Sequence, residues 1–109
     1  MLVPLLRLLD GVFPQWDHLP LEEVNDVLGR LGRLRISFRH REGTVVGRLE
    51  FMEDGARNHV FRRAGGRPVS VEDYLFHRYG VELRSPQMWG VRIGGRPDFN
   101  PSELLMVEI

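Results

Sequence analysis

The chain of 109 residues contains no cysteine. This absence excludes disulfides, thiolate catalysis and cysteine-based zinc sites, and it agrees with the cytoplasmic location that we expect. Long hydrophobic runs are also missing. The apolar residues 1–9 are too few to cross a bilayer, and they lack the cationic start and cleavage site of a signal peptide. With 42% hydrophobic residues, the chain can build one core, so we expect a single domain over residues 1–109.

Lysine is absent as well, so all fifteen cations are arginines. The net charge is zero, but it is unevenly distributed. Residues 1–33 carry three arginines and five acids (−2), residues 34–96 carry twelve and seven (+5), and residues 97–109 carry none and three (−3). Arginine donates paired hydrogen bonds to phosphates. An all-arginine chain can equally reflect genome composition, so the charge alone does not decide for a nucleic-acid partner.

The apolar pattern predicts helices first and strands afterwards. Leucines in residues 2–10 predict a helix ending at Gly11, and a stripe from Leu21 to Leu31 predicts a second helix from about Pro20 to Gly32. Alternating patterns then predict strands at residues 34–38, 45–51, 81–83, 88–93 and 104–109, with a short apolar island at 60–61. Helices followed by short strands, with one helix inserted, predict an α+β fold with a small barrel.

The inserted helix has the clearest local signals. Ser70 is a good N-cap, Asp73 lies three residues later, and Gly80 is placed to end the helix. Tyr74 and Tyr79 are five residues apart, which puts them about 140° apart on a regular helix. They can therefore face one ligand only if the helix ends near Tyr79. Taken alone, both tyrosines are better explained as ordinary core residues of an amphipathic helix.

No motif indicates catalysis or a metal. The four histidines lie on separate predicted elements without metal-ligand spacing, and no serine has a nucleophile motif. The glycine pairs at 65–66 and 94–95 predict turns and do not match phosphate-binding loops. We therefore expect a protein that is not an enzyme and needs no cofactor.

A single-stranded nucleic acid is one possible partner, because the strand arginines and the excess of arginine in the middle of the chain provide charge, and several aromatic residues provide stacking surfaces. A base stacked on an aromatic ring contributes roughly 1–3 kcal/mol. The alternative is a barrel with its aromatics in the core and its arginines in water, and these residues alone do not decide between the two. The residues concerned are Arg35, Arg39, Arg41, Arg48, Phe61, Tyr74, Tyr79, Trp89 and Phe99.

Five motifs follow one another from residue 34 onward. They are LRISFRH (34–40), VF (60–61), VEDYLFHRYGVEL (71–83), RSPQMWGVRIG (84–94) and FNPSELL (99–105). In this order they resemble the PAZ domain of Argonaute proteins. The resemblance implies a small twisted OB-like β-barrel with a β-hairpin and helix appendage. Residues 1–33 would then be an N-terminal helical segment, and residues 34–109 the barrel plus appendage.

The resemblance also implies a cleft between barrel and appendage that holds the 3′ end of a single strand. Carried over by position, His40, Tyr74 and Tyr79 would hydrogen-bond the phosphate that links the last two nucleotides. Phe61 would face the terminal nucleoside. Such recognition reads no base edge and is expected to be independent of sequence.

The resemblance implies three further candidate binding residues, and at some of them this sequence departs from the family pattern. Arg96 stands where the family often has a phosphate-binding cation. Asn100 stands where an apolar residue usually contacts the terminal sugar or base. Arg48 is what remains of a basic cluster on the second strand, so it is the candidate for that phosphate contact.

The resemblance leaves open which larger protein contains this domain and which function the domain has. We predict an RNA-binding module that anchors the 3′ overhang of a small guide RNA, monomeric alone and joined to other domains of an Argonaute-like protein. A Dicer-like nuclease is an alternative parent, although Dicer versions tend to carry a longer basic insertion that this sequence lacks. A generic OB-like domain that binds single strands or proteins belongs to another class, and a small enzyme is the last alternative.

Overall fold

The computed structural model of the chain describes residues 1–62 and 65–109. Its helices are α1 (Leu5–Val12), α2 (Leu21–Arg30) and α3 (Val71–Tyr79), with short 3-10 turns at Trp16–His18 and Ser102–Leu104. Its strands are β1 (Leu2–Pro4), β2 (Leu34–Phe38), β3 (Thr44–Gly47), β4 (Leu49–Gly55), β5 (Val60–Arg62), β6 (Pro68–Ser70), β7 (Trp89–Ile93), β8 (Asn100–Pro101) and β9 (Leu105–Glu108). The protein is therefore a small mixed helix-and-sheet domain, as the apolar pattern predicted.

The strands pair in three antiparallel groups. One sheet has the order β1-β9-β2-β3, a second has the order β4-β7-β8, and β5 and β6 form a separate hairpin. In the part of the chain that the structure describes, strand pairing does not close the two larger sheets into one ladder. The α+β prediction is thus confirmed, whereas the OB-like barrel stays a prediction.

The main core lies where both sheets meet the N-terminal helices. Leu5 and Leu9 of α1, Val24 and Leu28 of α2, and alternate residues of β2, β4, β7 and β9 are buried together. Trp16 stacks on Phe51 with ring centroids 5.7 Å apart and planes 8° apart. Asn25 of α2 exchanges two hydrogen bonds with the backbone of Phe51, at 2.7 and 3.1 Å. Helix α2 is therefore fixed to β4 by specific polar bonds as well as by apolar contact.

The predicted strand at residues 45–51 is divided at Arg48. The chain leaves β3, which pairs with β2, and enters β4, which pairs with β7, so it passes from one sheet to the other. The Arg48 carbonyl accepts a hydrogen bond from the Gly94 amide at 2.8 Å. A Cβ on Gly47 would lie 3.0 Å from the Gly94 Cα. The missing side chain allows the two backbones to meet there, which alternation in the sequence does not indicate.

Two other local predictions were wrong. Residues 2–4 are not helical, because they pair with β9 as β1, and the first helix continues through Gly11 to Val12. Residues 81–83 form no strand. The carboxylate of Glu103 instead accepts the backbone amides of Arg84 and Ser85, each at 2.9 Å. These bonds hold the segment in an extended course without a partner strand.

The hairpin β5–β6 and α3 form the appendage, which has a core of its own. Ala56, Val71 and Leu75 are buried there together with Leu104, which comes from the 3-10 turn before β9 and so joins this cluster to the first sheet. No helix among residues 1–62 and 65–109 has the length and apolar character needed to cross a membrane.

Helix α3 begins and ends as its sequence predicts. The Ser70 hydroxyl accepts the Asp73 amide at 3.1 Å, and Gly80 ends the helix in the left-handed region at φ +68°. A side chain at this φ would be strained, which explains glycine there.

Candidate nucleic-acid interface

The two tyrosines meet beside His40 because α3 ends at Tyr79. The Tyr74 and Tyr79 ring centroids are 6.3 Å apart, and the planes are 82° apart. The His40 ring lies 4.9 Å from Tyr79, again edge to face at 84°. His40 follows β2, so this contact joins the end of the appendage helix to the first sheet. The predicted placement is observed, and the role as phosphate ligands stays a prediction.

These rings line a cleft of about 420 Å³ between the appendage and the segment at residues 97–101. On β5, the Phe61 ring contacts Tyr74 edge to face at 5.3 Å. The lining of the cleft thus combines aromatic rings with polar side chains such as His40, Arg41 and Asn100. Of the seven predicted binding residues, those that line it are His40, Phe61, Tyr74, Tyr79 and Asn100.

Burial sets the charge state of His40. Its pKa is lowered from the ordinary 6.5, first by burial and second by the positive charge of Arg41. Its Nδ1 atom is buried without a hydrogen-bond partner among the described residues. A buried polar atom without a partner costs roughly 1–3 kcal/mol. The lowered pKa favours the neutral imidazole, and its Nδ1 lies out of reach of solvent.

Arg41 supplies a cation at the cleft; the sequence named it among the arginines of the strands but not among the seven predicted binding residues. Its guanidinium carbon lies 3.8 Å from the centroid of the Phe38 ring, a cation–π distance. This contact places the guanidinium over the Phe38 ring, while Arg41 as a whole stays exposed to solvent. A positive charge held here favours an anionic ligand in the cleft.

A second pair of rings, His59 and Phe99, lines the cleft; the sequence reasoning named Phe99 among the aromatic residues but missed His59. The imidazole of His59 stacks on Phe99 at 4.4 Å and 22°, and its Nδ1 lies 2.6 Å from the Asp54 carboxylate. Phe99 packs against β7 where Gly90 leaves room, because a Cβ there would lie 2.1 Å from the Phe99 ring. His59 stands next to the apolar island at 60–61, but no local signal indicates its contact with Phe99.

Asn100 and Arg96 lie close together in the sequence, but only Asn100 lines the cleft. Asn100 lines the cleft, and its amide nitrogen donates to the Val91 carbonyl at 3.1 Å, so this donor already serves the fold. Arg96 is exposed in the turn after β7, where its amide donates to Ile93 at 3.0 Å. It does not belong to the lining, although the next residue, Pro97, does.

The structure does not bring Arg48 to the cleft. Arg48 lines a separate groove of about 570 Å³ with Arg33 and Arg92, between α2 and the strands. This groove is basic and larger than the cleft, but it contains no aromatic residue. Arg48 lies at the passage between the two sheets, which turns it away from the other predicted residues. The cleft is therefore the better candidate for binding a nucleotide.

Within the described ranges, no three histidine, cysteine or acidic residues are grouped so that they could hold a metal ion. The chemistry of the cleft is that of hydrogen bonding and stacking. Two phenols, two imidazoles, a guanidinium and the Asp98 carboxylate surround a space flanked by phenyl rings.

Solved PAZ domains of Drosophila Argonaute proteins are similar to this chain over nearly its whole length. One, solved to explain 3′-end recognition of nucleic acids by Argonaute 2, has a TM-score of 0.67 and 20% identity, and covers 99% of this chain and 95% of its own. Another, in complex with 3′-end 2′-O-methylated RNA, has a TM-score of 0.73, 18% identity and 100% coverage of both chains. A third, an Argonaute 2 PAZ structure with a study of nucleic-acid binding, has a TM-score of 0.65 and 19% identity, and covers 98% and 99%.

No family model matches the sequence, and no curated protein matches it significantly. The likeness therefore rests on the course of the backbone, since identity is at most 20% in these three structures. The order of motifs in the sequence leads independently to the same family. The chain has the fold of an Argonaute PAZ domain.

Proposed function

We propose that this domain binds the 3′ end of a single-stranded nucleic acid in the cleft and carries out no catalysis itself. The observation that carries the proposal is the meeting of Tyr74, Tyr79 and His40 at one edge of the cleft. Phenol hydroxyls donate short, charge-assisted hydrogen bonds to phosphate oxygens. Phenols are neutral at pH 7, so they can hold one phosphate without a general attraction for duplex.

Each side of the cleft has a role in this proposal. His40, Tyr74 and Tyr79 hold the phosphate between the last two nucleotides, and Arg41 adds positive charge beside them. Phe61 contacts the terminal nucleoside, while Arg96 and Asn100 stay candidates for contacts at its far side. No group is required to read a base edge, so binding is independent of sequence. The Drosophila PAZ domains of the same fold, described with nucleic-acid 3′ ends, support this assignment.

The ligand that we favour is the two-nucleotide 3′ overhang of a small guide RNA in RNA silencing. The domain would act as a monomeric module in the cytoplasm, next to other domains of an Argonaute-like protein, and any nuclease activity would belong to those domains. We further propose that the two larger sheets form the OB-like barrel of this family. A Dicer-like parent is less favoured, because β4 and β5 are separated only by residues 56–59, which leaves no room there for a long basic insertion.

Three fluorescent RNA duplexes test the proposal by anisotropy. One carries a two-nucleotide 3′ overhang, one is blunt, and one carries an overhang with a blocked 3′ end. We expect the free overhang to bind about tenfold or more tightly than the other two, a difference of roughly 1.4 kcal/mol. Equal affinity for overhang and blunt duplex would contradict end anchoring. Equal affinity for an overhang and an internal single-stranded gap would instead favour the generic single-strand binder.

A further inference from the structure

We propose that the basic groove outside the cleft is a docking site for an extended acidic peptide segment of another protein or domain. The groove lies between α2, the end of β3 and the turn after β7. Carboxylates of the segment pair with Arg33, Arg48 and Arg92, and its backbone lies along the free edge of β3. The proposal goes beyond the proposed function, because none of these arginines lines the cleft.

The groove is positively charged, and the fold neutralises only part of that charge. Three guanidinium groups and one carboxylate, that of Glu50, line it, which gives a formal charge of +2. Arg92 lies 3.4 Å from Glu50. Within the described residues, Arg33 and Arg48 are exposed and form no ion pair. Because a guanidinium donates paired hydrogen bonds to a carboxylate, these two arginines can each bind an acidic side chain of a partner.

Glycines keep the walls of the groove open. Gly29 is the penultimate residue of α2, and a Cβ there would meet nothing within 4 Å. Packing therefore does not require glycine at this position, although glycine is less favourable than alanine in a helix. Gly94 and Gly95 also line the groove, in the turn after β7. The missing side chains leave room for a bound chain.

The lining favours a peptide over a nucleic acid. Among the described residues that line the groove, none is aromatic, so a base has no ring on which to stack. The Glu50 carboxylate repels phosphates, and Val46, which is 47% exposed, offers an apolar contact. Val46 belongs to β3, which is an edge strand whose backbone, in the described parts of the chain, hydrogen-bonds to β2 alone. An extended peptide can pair with such an edge, whereas a sugar–phosphate backbone has no amides to do so.

A short fluorescent peptide that alternates glutamate and threonine serves as the probe, and anisotropy at low ionic strength measures its affinity for the domain. We expect this peptide to bind and a peptide that alternates lysine and threonine not to bind. Exposed ion pairs are individually weak, so Arg33→Ala and Arg48→Ala should each raise the Kd by about two- to fivefold. Arg30→Ala is the matched control, because Arg30 is exposed on the same helix but does not line the groove.

Gly29→Leu separates a shaped site from a diffuse attraction between charges. Leucine fills the groove without changing its charge and favours the helix, so the variant should fold. We expect it to raise the Kd of the acidic peptide by about tenfold or more. Absence of binding by the acidic peptide, wild-type affinity in Gly29→Leu, or equal losses in Arg30→Ala and Arg48→Ala would each overturn the docking site.

A circular single-stranded RNA, which has no 3′ end, tests the other class of partner. If it bound more tightly than the acidic peptide and depended in the same way on Arg48, the groove would be a nucleic-acid site and the proposal would be wrong. Tyr79→Phe should bind the peptide like the wild type. Failure of the docking site would thus leave the preference for overhang over blunt duplex intact, and loss of that preference would leave peptide binding intact.

Discussion

Replacing Tyr79 by phenylalanine removes one hydroxyl from the end of α3 and keeps the ring. The edge contacts with His40 at 4.9 Å and with Tyr74 at 6.3 Å depend on the ring, so the variant should fold normally. A hydrogen bond to a charged group contributes roughly 1.5–3 kcal/mol. Because Tyr79 is 38% exposed, water competes for the phosphate, and we take the lower end of that range. About 1.5 kcal/mol corresponds to a little more than a tenfold rise in Kd.

Anisotropy with the overhang duplex measures this loss, and the blunt duplex shows whether it is specific. Phe76→Leu is the matched control, because Phe76 lies on the same helix, is 49% exposed and does not line the cleft. We expect the control to bind like the wild type and Tyr79→Phe to lose affinity for the overhang alone. A Tyr79→Phe domain that binds the overhang within about twofold of wild type, well under one hydrogen bond, would refute the phosphate contact.

Three more predictions concern Gly90 behind the cleft, His40 in its lining and Arg48 outside it. Gly90→Ala places a Cβ 2.1 Å from the Phe99 ring, and such overpacking costs roughly 1–3 kcal/mol, so calorimetry should show a Tm lower by several degrees. The pKa of His40 in the folded protein is lower than its ordinary 6.5, so the unfolded chain binds more protons than the folded one. The free energy of unfolding should therefore decrease as the pH drops below about 6.5. Denaturation of His40→Asn should show a smaller decrease over the same pH range. Arg48→Ala should bind the overhang duplex within about twofold of the wild-type affinity, since Arg48 lines the separate groove and charges that interact across solvent contribute little. A larger loss of affinity, measured by anisotropy, would show that the binding site extends to this groove.

The elements that the sequence predicted well are those with local causes. Ser70 and Gly80 fix the ends of α3 through one hydrogen bond and one positive φ, and both depend on residues within a few positions. The alternation from Leu34 to Phe38 predicts β2 because one face of that strand is buried. The meeting of Tyr74 and Tyr79 follows from where α3 ends, so that part of the cleft was accessible to sequence reasoning.

The remaining features depend on contacts between distant segments. β1 exists because residues 2–4 pair with β9 at the other end of the chain, and no propensity predicts such a partner. The sequence grouped Arg48 with the residues of the cleft, because nothing in the pattern of residues 44–49 shows that the chain passes from one sheet to the other there. The stack of His59 on Phe99 requires Gly90 to make room, which is a property of packing. The resemblance to the PAZ family, and not any local pattern, grouped the candidate residues of the cleft.

The side chains that we propose as phosphate ligands belong to two units with separate buried clusters. Tyr79 ends α3, whose first turn is tied to residues 56–59 by backbone bonds from Val71 and Glu72, so hairpin and helix form one unit over their own buried cluster. His40 follows β2, whose buried residues belong to the main core. At the mouth of the cleft, these units meet through ring contact between His40 and Tyr79. A phosphate bound by both side chains would therefore bridge the two units, and its binding energy would include the strengthening of this junction.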